Sequence, residues 1–250
     1  MLKIIIQGIQ GRMGQAIATC LAGDNQLQLV AGVEKQAASP NIVNDLKTVI
    51  EKADVIIDFS SPAATLTAAR LAAQHQKPMV IGTTGFSKSE IAKLHQTLAG
   101  IPVVLSPNMS MGVNVLFKLV ELASHALKEN FDIEIVEAHH RLKKDAPSGT
   151  ALQLAEVIAQ QLGKPLEQIA TYARHGIIGE RTPGTLGIQS LRGGDIVGTH
   201  TVLYAGTGEA LELTHRATHR HTFAQGALVA AKWVVKQKPG IYNMQDVLGI

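Results

Sequence analysis

The side chains best suited to acid–base chemistry are concentrated in one segment, positions 134–150, with the sequence EIVEAHHRLKKDAPSGT. His139 and His140 are expected at the end of a strand, where an imidazole could supply a proton near neutral pH. Lys143 stands four residues after His139 and could hold an anionic or polarised oxygen. Together these residues predict a site at which a substrate receives a proton beside a fixed positive charge.

The end of the same segment has the features of an anion-binding helix start. Ser148 is expected to cap a helix, and the amides of Gly149 and Thr150 in its first turn could bind a carboxylate or a phosphate. An acid, a cation and a helix end within twelve residues predict a substrate site for a small carboxylic acid. Read alone, the segment could equally be a solvated basic loop before a capped helix.

A glycine-rich loop near the start of the chain predicts a second anionic ligand. Gly8, Gly11 and Gly14 follow the spacing G-x-x-G-x-x-G between a strand pattern and a helix pattern. This is a variant of the dinucleotide fingerprint, in which glycines allow a tight turn and the helix N-terminus offers amides to a pyrophosphate. Glu34 stands where the fingerprint requires an acid for the ribose hydroxyls.

Two cations accompany this acid. Lys35 follows Glu34 directly, and Arg12 stands at the start of the predicted helix. An acid suits the ribose hydroxyls of NADH, whereas a cation suits the 2′-phosphate of NADPH. We therefore expect the protein to use both NADH and NADPH.

Two later loops follow strand patterns, and open α/β sheets bind ligands at the carboxyl ends of their strands. Their small and polar residues would let a nicotinamide ring approach and would hydrogen-bond its amide. By themselves both loops could be ordinary turns, but the glycine loop favours ligand contact. The loops are Gly82-Thr83-Thr84-Gly85 and Ser106-Pro107-Asn108-Met109-Ser110.

The elements that must position these residues change in kind along the chain. Over the first hundred residues, short apolar runs alternate with longer amphipathic ones, which predicts βαβ units and a parallel sheet. The expected strands are Lys3–Gln7, Gln28–Val33, Val55–Phe59, Met79–Gly82 and Val103–Ser106. The expected helices are Met13–Leu21, Ala63–His75 and Lys88–Leu98.

After Pro107 the pattern indicates fewer helices and a second, mixed or antiparallel sheet. A Gly-rich stretch before residue 196 has no clear pattern, and the last helix is expected to return to the first domain. The fold class is therefore α/β, with a Rossmann-type doubly wound parallel sheet and a second α+β domain with a mixed sheet. The expected elements are helix Val113–Lys128, strand Phe131–His139, helix Thr150–Leu162, strands Ile196–Tyr204 and Ala210–His215, and helix Phe223–Lys236.

The composition excludes several classes of protein. The chain has 250 residues, 46% hydrophobic and 17% charged, with a net charge of +3, which is too apolar for disorder. No apolar run approaches the roughly 18 residues of a membrane span, and the first residues enter a strand pattern rather than a signal peptide. We therefore expect a cytoplasmic protein without a membrane partner.

Three further features argue against other partners or cofactors. The basic residues are not interleaved with aromatic ones, so nucleic acid is not expected. Cys20 is the single cysteine and is expected to be a buried, inert thiol. The histidines at 215, 219 and 221 have ligand-like spacing, but no carboxylate or cysteine completes a site, so no metal is expected.

These motifs resemble the 4-hydroxy-tetrahydrodipicolinate reductase family, formerly called dihydrodipicolinate reductases, of bacterial lysine and diaminopimelate synthesis. The resemblance covers essentially the whole chain. It implies hydride transfer from NADH or NADPH to a cyclic dicarboxylate, giving tetrahydrodipicolinate with loss of water. It is carried by Gly8-Ile9-Gln10-Gly11-Arg12-Met13-Gly14, Gly82–Gly85, His139–Thr150, Arg192–Gly198 and Thr222–Ala224.

The resemblance also implies a role for each matching residue. His139 is implied as the proton donor and Lys143 as a second essential group that anchors the substrate. His140, Gly149 and Thr150 are implied to bind a substrate carboxylate. The implied cofactor contacts are Gly8, Ile9, Gln10, Gly11, Arg12, Met13, Glu34, Lys35, Gly82, Thr83, Thr84, Ser106, Pro107, Asn108 and Met109.

The resemblance further implies two domains and an oligomer. Residues 1–110 plus 219–250 would bind the dinucleotide, and residues 111–218 would bind the substrate and assemble a homotetramer. Thr199 departs from the family pattern, which more often has an acid there. Two alternatives stay open: a related two-domain NAD(P)-dependent reductase of another small carboxylate, and a nucleotide-sensing binding protein.

Overall fold

The computed structural model describes residues 1–36 and 41–250. They form two compact units: the first contains Met1–Met111 and Arg220–Ile250, and the second contains Gly112–His219. Each unit has its own sheet and its own hydrophobic core. Within the described ranges, no helix is long and apolar enough to cross a membrane.

The elements follow one another along the chain as strands, helices and two short 3-10 turns at Leu46–Thr48 and Ile50–Lys52. The strands are β1 (Leu2–Gln7), β2 (Leu27–Val33), β3 (Ile42–Val43), β4 (Val55–Asp58), β5 (Met79–Ile81), β6 (Pro102–Leu105), β7 (Asp132–His139), β8 (Ala170–Thr171), β9 (Leu186–Arg192), β10 (Gly198–Ala205), β11 (Ala210–Ala217) and β12 (Gly240–Tyr242). The helices are α1 (Arg12–Ala22), α2 (Pro62–Gln74), α3 (Lys88–Leu98), α4 (Met111–Leu127), α5 (Gly149–Leu162), α6 (Leu166–Ile169), α7 (His221–Val234) and α8 (Met244–Leu248).

The first unit is built on a parallel sheet with the strand order β12-β6-β5-β4-β1-β2-β3. Helices α1 and α7 cover one face, and α2 and α3 cover the other. Because both faces are covered, the central strands are apolar throughout, and Ile4, Ile5 and Ile6 are all fully buried. The predicted doubly wound parallel sheet is therefore confirmed.

Residues at the helix starts shape the loops at the carboxyl edge of this sheet. Ser61 caps α2 through its side chain, and Pro62 occupies the first turn, where no amide donor is needed. Ser87 and Glu90 form a capping box at the start of α3. Helix α1 instead begins after Gly11, which offers no side-chain acceptor. The first amides of α1 are thus suited to an external anion.

The second unit is built on a mixed sheet with the strand order β11-β10-β7-β9-β8. Strand β10 is antiparallel to β7 and β11, whereas β9 is parallel to β7 and β8. Helices α4 and α5 share a core with this sheet. Ile133 and Ile135 face that core, and the same alternation carries the side chain of Glu137 to the buried face. The predicted second sheet is confirmed, with a carboxylate in its covered face.

The sequence prediction missed one central strand of this sheet. Strand β9 lies in the Gly-rich stretch that was expected to lack a pattern. Only Leu186 and Ile188 of β9 are large apolar residues that are buried, so its alternation is too short to identify it. The short strands β3, β8 and β12 and the short helices α6 and α8 were missed as well, and the remaining elements begin or end within a few residues of their predicted bounds.

Candidate active site

His139 ends strand β7 and is held by a carboxylate from its own strand. Its Nδ1 lies 2.6 Å from Oε2 of Glu137. Residues two apart on a strand point to the same face, which is why these two side chains meet. A carboxylate can only accept a hydrogen bond, so Nδ1 carries the proton in this contact. The other ring nitrogen, Nε2, is then the one left for substrate chemistry.

The carboxylate of Glu137 is fully buried and has several donors around it. Arg192 binds it with both terminal nitrogens, at 2.8 and 2.9 Å, and the backbone amide of Ser148 donates to it at 3.1 Å. Burial raises the pKa of Glu137, but hydrogen bonds from Arg192, His139 and Ser190 outweigh this and lower the pKa to about 2. Glu137 is therefore a permanent buried anion beside the imidazole.

His139 itself is held towards its neutral form. Burial lowers the pKa of His139, and the charges of Lys143 and Arg192 lower it further, while the contact with Glu137 works in the opposite direction. An anion that bound next to the ring would offset the two cations. The ring is thus poised to take up a proton when a carboxylate ligand arrives.

Lys143 lies in the turn that follows β7. Its backbone amide donates to the carbonyl of His140 at 3.1 Å, and its Nζ lies 3.0 Å from Oδ2 of Asp145. Hydrogen bonding to Lys143 lowers the pKa of Asp145. Asp145 is exposed, and exposed ion pairs are worth only about 1 kcal/mol or less. A substrate anion could therefore replace Asp145 as the partner of Lys143 at little cost.

The start of α5 forms the anion-binding end of the site. Ser148 caps the helix by accepting from the amide of Ala151 at 3.2 Å, and its Oγ lies 3.0 Å from Nε2 of His200. Burial lowers the pKa of His200 to about 4, so its ring is neutral at ordinary pH. Gly149 is exposed, and no atom lies within 4 Å of where a Cβ would stand. That open space would admit a carboxylate to the helix end.

The glycine loop of the first unit is tightly folded. Gly8 has φ of +80°, and a Cβ there would lie 2.5 Å from the carbonyl oxygen of Phe59. A Cβ at Gly14 would lie 2.2 Å from the carbonyl oxygen of Gly8. Neither position can hold a side chain, because backbone atoms occupy the space. These glycines bring the start of α1 against the carboxyl ends of β1 and β4.

A cleft of about 280 Å³ opens beside this loop. Glu34 lies on its wall, where its carboxylate accepts from the amides of Gln10 at 3.3 Å and Lys35 at 3.0 Å. The strand order reverses between β1 and β4, and such a switch point is where open α/β sheets bind ligands. The lining residues are Gln7, Gly8, Gly11, Glu34, Lys35, Phe59, Ser60, Ser61 and Ala64.

Comparison with known protein families gives a match for each of the two parts of the chain. The family description "Dihydrodipicolinate reductase, N-terminus" matches residues 2–109, and "Dihydrodipicolinate reductase, C-terminus" matches residues 112–248. The chain belongs to the dihydrodipicolinate reductase family. The family resemblance seen in the sequence motifs is confirmed.

Individual members of the family match the chain over its full length. The 4-hydroxy-tetrahydrodipicolinate reductases of Syntrophus aciditrophicus and Desulfotalea psychrophila are each 49% identical, covering 100% of this chain and 99% of the relative. The solved structure of dipicolinate-bound dihydrodipicolinate reductase from Paenisporosarcina sp. TG-14 has a TM-score of 0.81 and 25% identity, covering 98% of each chain. The predictions of an oxidoreductase, and of NADH or NADPH as its cofactor, are thus confirmed at the level of the family.

The predicted residues of the second unit lie between the end of β7 and the start of α5. In the second unit, Lys143 follows His139 through a turn, and Gly149 and Thr150 begin the helix that Ser148 caps. His140 is half-buried, and none of the described residues forms a hydrogen bond with its buried Nδ1.

In the first unit, four of the predicted cofactor contacts have side chains in the interior rather than in a cleft. They can meet a ligand mainly through their backbone atoms. Ser106 also ties the second loop together, because its Oγ donates to the carbonyl of Asn108 at 2.9 Å. Arg12, Thr84 and Pro107 are exposed, and Met13 is half-buried. The four buried residues are Ile9, Thr83, Ser106 and Met109.

Sequence reasoning missed the residues that surround His139 from other strands. Arg192 lies opposite His139 in the pairing of β7 with β9, and His200 lies opposite Glu137 in the pairing of β7 with β10. A Cβ at Gly198 would lie 3.1 Å from Nε2 of His139. Glu137 carried one signal in the sequence, since it is an acid at an inward position of an alternating strand.

A second arginine, Arg220, lies near Arg12 of the cofactor loop. Burial and the neighbouring charge of Arg12 lower the pKa of Arg220.

In residues 1–36 and 41–250, no group of three or more histidine, cysteine, aspartate or glutamate side chains is arranged to hold a metal ion.

Proposed function

We propose that the protein reduces the cyclic dicarboxylate 4-hydroxy-tetrahydrodipicolinate to tetrahydrodipicolinate, using NADH or NADPH. The observation that carries this proposal is the arrangement around His139. Its ring is held by the buried carboxylate of Glu137. Lys143 follows in the next turn, and the accessible first turn of α5 begins at Gly149. The family relationship supplies the substrate, and the relative from Paenisporosarcina is described as dipicolinate-bound.

The second unit would bind the substrate through its two carboxylates. The amides of Gly149 and Thr150 at the start of α5, with His140, would hold one carboxylate. Lys143 would anchor the substrate through an anionic oxygen, exchanging Asp145 for it. A dicarboxylate suits this arrangement because the segment 143–150 offers two separate anion-binding groups, the ammonium of Lys143 and the first amides of α5.

His139 would supply the proton. The negative charge of the bound substrate would raise the pKa of His139 against the effect of Lys143 and Arg192 and so favour a protonated Nε2. Glu137 would stabilise the resulting imidazolium through Nδ1. Reduction adds one hydride and one proton to the ring and releases water; NADH or NADPH, when bound, supplies the hydride.

The first unit would hold the cofactor. The amides at the start of α1 suit a pyrophosphate, and Glu34 suits the ribose hydroxyls beside the cleft. Lys35 would bind the 2′-phosphate of NADPH through the compact charge of its ammonium group. Arg12 would bind it through the planar hydrogen-bond donors of its guanidinium group. The loops that begin at Gly82 and Ser106 would contact the nicotinamide half.

We also propose that the protein is a cytoplasmic homotetramer assembled through the sheet of the second unit. The support for the assembly is that Val136 of β7 and Leu191 of β9 are exposed on the face of this sheet that α4 and α5 do not cover. Sedimentation equilibrium would test it: a monomer at all concentrations would contradict the proposal.

A coupled assay tests the proposed reaction. Pyruvate and aspartate semialdehyde are condensed by the enzyme that forms the substrate, and the oxidation of NADH or NADPH is followed on addition of this protein. We expect oxidation with both cofactors, dependent on both carbon substrates. If the folded protein oxidises neither NADH nor NADPH in this assay, the proposal is overturned.

A further inference from the structure

The first unit contains a buried carboxylate, that of Asp58, which takes no part in the proposed reaction. Asp58 is the last residue of β4 and is completely buried. Burial raises the pKa of Asp58 to about 6, and hydrogen bonds from neighbouring side chains only partly offset this. A buried charge costs free energy, and the other residues of β4 are the apolar Val55, Ile56 and Ile57. Packing alone therefore does not account for a carboxylate at this position.

The hydrogen bonds of Asp58 join two loops. Its Oδ1 accepts from Oγ of Ser60 at 2.5 Å and from Oγ1 of Thr83 at 3.3 Å. Oγ1 of Thr83 in turn accepts from the backbone amide of Ser60 at 2.9 Å. The triangle thus connects the loop after β4 with the loop after β5, and every member is placed by its contact with the other two.

A second contact joins the same two loops. A Cβ at Gly82 would lie 2.2 Å from the ring of Phe59, so the ring packs directly on the glycine backbone. Phe59 and Ser60 line the cleft that contains Glu34. The loop after β5 is Gly82-Thr83-Thr84, which is expected to meet the nicotinamide half of the cofactor. The network of Asp58 therefore reaches from the wall of the cleft to this loop.

We propose that Asp58 is a positioning residue for the cofactor, which holds the loop Gly82–Thr84 in place for the nicotinamide half through Ser60 and Thr83. The proposal rests on the proposed function, because it assumes that a nicotinamide dinucleotide binds in the first unit. Asp58 itself touches no ligand in this proposal. Its effect should therefore fall on the nicotinamide half and spare the adenosine half, which Glu34 and the glycine loop would bind.

The test compares NADH with ADP-ribose, which lacks the nicotinamide. In D58A the hydroxyls of Ser60 and Thr83 lose their shared acceptor, so we expect the Kd of NADH to rise about tenfold. The Kd of ADP-ribose should stay within about twofold of the wild-type value. In D58N the amide oxygen can still accept from both hydroxyls, so we expect binding of both ligands close to wild type.

One variant serves as a control, and another repeats the test from the other side of the network. Asp54 precedes the same strand at its other end, and its carboxylate accepts from the backbone amide of Lys3 at 2.7 Å, so D54A should change neither Kd. T83V removes one donor of the triangle without emptying the space, and we expect the same selective loss of NADH affinity as in D58A. T83V carries the test if D58A does not fold.

The possible outcomes separate this proposal from the proposed function. Equal weakening of both ligands in D58A and T83V, or no weakening of either, would overturn the role of Asp58 while leaving the cofactor site intact. A loss in D58N as large as in D58A would overturn the hydrogen-bond explanation. Wild-type protein that binds neither NADH nor ADP-ribose would instead refute the proposed function, and the role of Asp58 with it.

Discussion

Replacing Glu137 with glutamine tests whether the buried carboxylate controls His139. Glutamine preserves the volume of the side chain but removes its charge, so Nδ1 of His139 and the guanidinium of Arg192 lose an anionic partner. The imidazolium that must form during proton transfer is then stabilised less. By analogy with other carboxylate–histidine pairs, we expect kcat to fall by roughly a hundredfold or more.

The expected effect on stability follows from the pKa of Glu137. Its surroundings lower the pKa from 4.5 to about 2 although the side chain is fully buried. At about 1.4 kcal/mol per unit, the native structure favours the ionised carboxylate by roughly 3 kcal/mol. Because the pKa is lower in the folded state, this stabilisation is present above pH 4.5 and is lost as the pH falls towards about 2. The difference in Tm between E137Q and wild type should shrink over that range.

The matched control is E134Q. Glu134 lies on the same strand with its side chain towards the other face, and Arg174 binds it with two hydrogen bonds of 2.7 and 2.8 Å. E134Q should lower Tm without changing kcat in the coupled assay. If E137Q keeps kcat within about threefold of wild type, or if E134Q loses as much activity, the role assigned to Glu137 is wrong.

The pH profile gives an independent readout for the same variant. Glu137 raises the pKa of His139 against the effects of burial and of Lys143 and Arg192. Its loss should lower that pKa, so the decline of kcat/KM with rising pH should begin at a lower pH in E137Q. A profile with the same shape and position in both proteins would show that Glu137 acts through packing alone.

Three further predictions concern other residues of the two sites. K143A should lower kcat by about two or three orders of magnitude with little change in the Kd of NADH; parallel loss of both would indicate misfolding. G198A places a Cβ 3.1 Å from Nε2 of His139, so kcat should fall at least about tenfold at unchanged Tm, and full activity would contradict the assignment of Nε2 as the reacting nitrogen. K35A should raise the KM of NADPH more than that of NADH, and E34Q should do the reverse; equal changes for both cofactors would show that neither side chain discriminates.

The parts of the sites that could be predicted are those built from neighbouring residues. The glycine loop was predictable because a tight turn before a helix requires glycines at fixed spacing, and Gly8 indeed has a positive φ. The helix start after Ser148 was predictable because capping depends on residues within one turn. Short apolar runs that alternate with longer amphipathic ones likewise predicted the doubly wound sheet, since strands covered on both faces are apolar throughout.

Other parts could not be predicted, because they depend on which strands become neighbours. Arg192 reaches Glu137 only because the weakly patterned strand β9 pairs in parallel with β7. Likewise, Asp58 and Thr83 meet only because β4 and β5 are adjacent in the sheet. The spacing of these residues along the sequence does not predict such contacts.

The sequence by itself thus determined the chemical groups proposed for the two sites: a histidine, a lysine, a capped helix start and a glycine loop. Each is encoded within a few consecutive residues. The tertiary structure alone decided the partners that set the charge and orientation of those groups, among them Glu137 with Arg192 around His139. The physical reason is that strand register is set by burial of the whole sheet, which no short segment specifies.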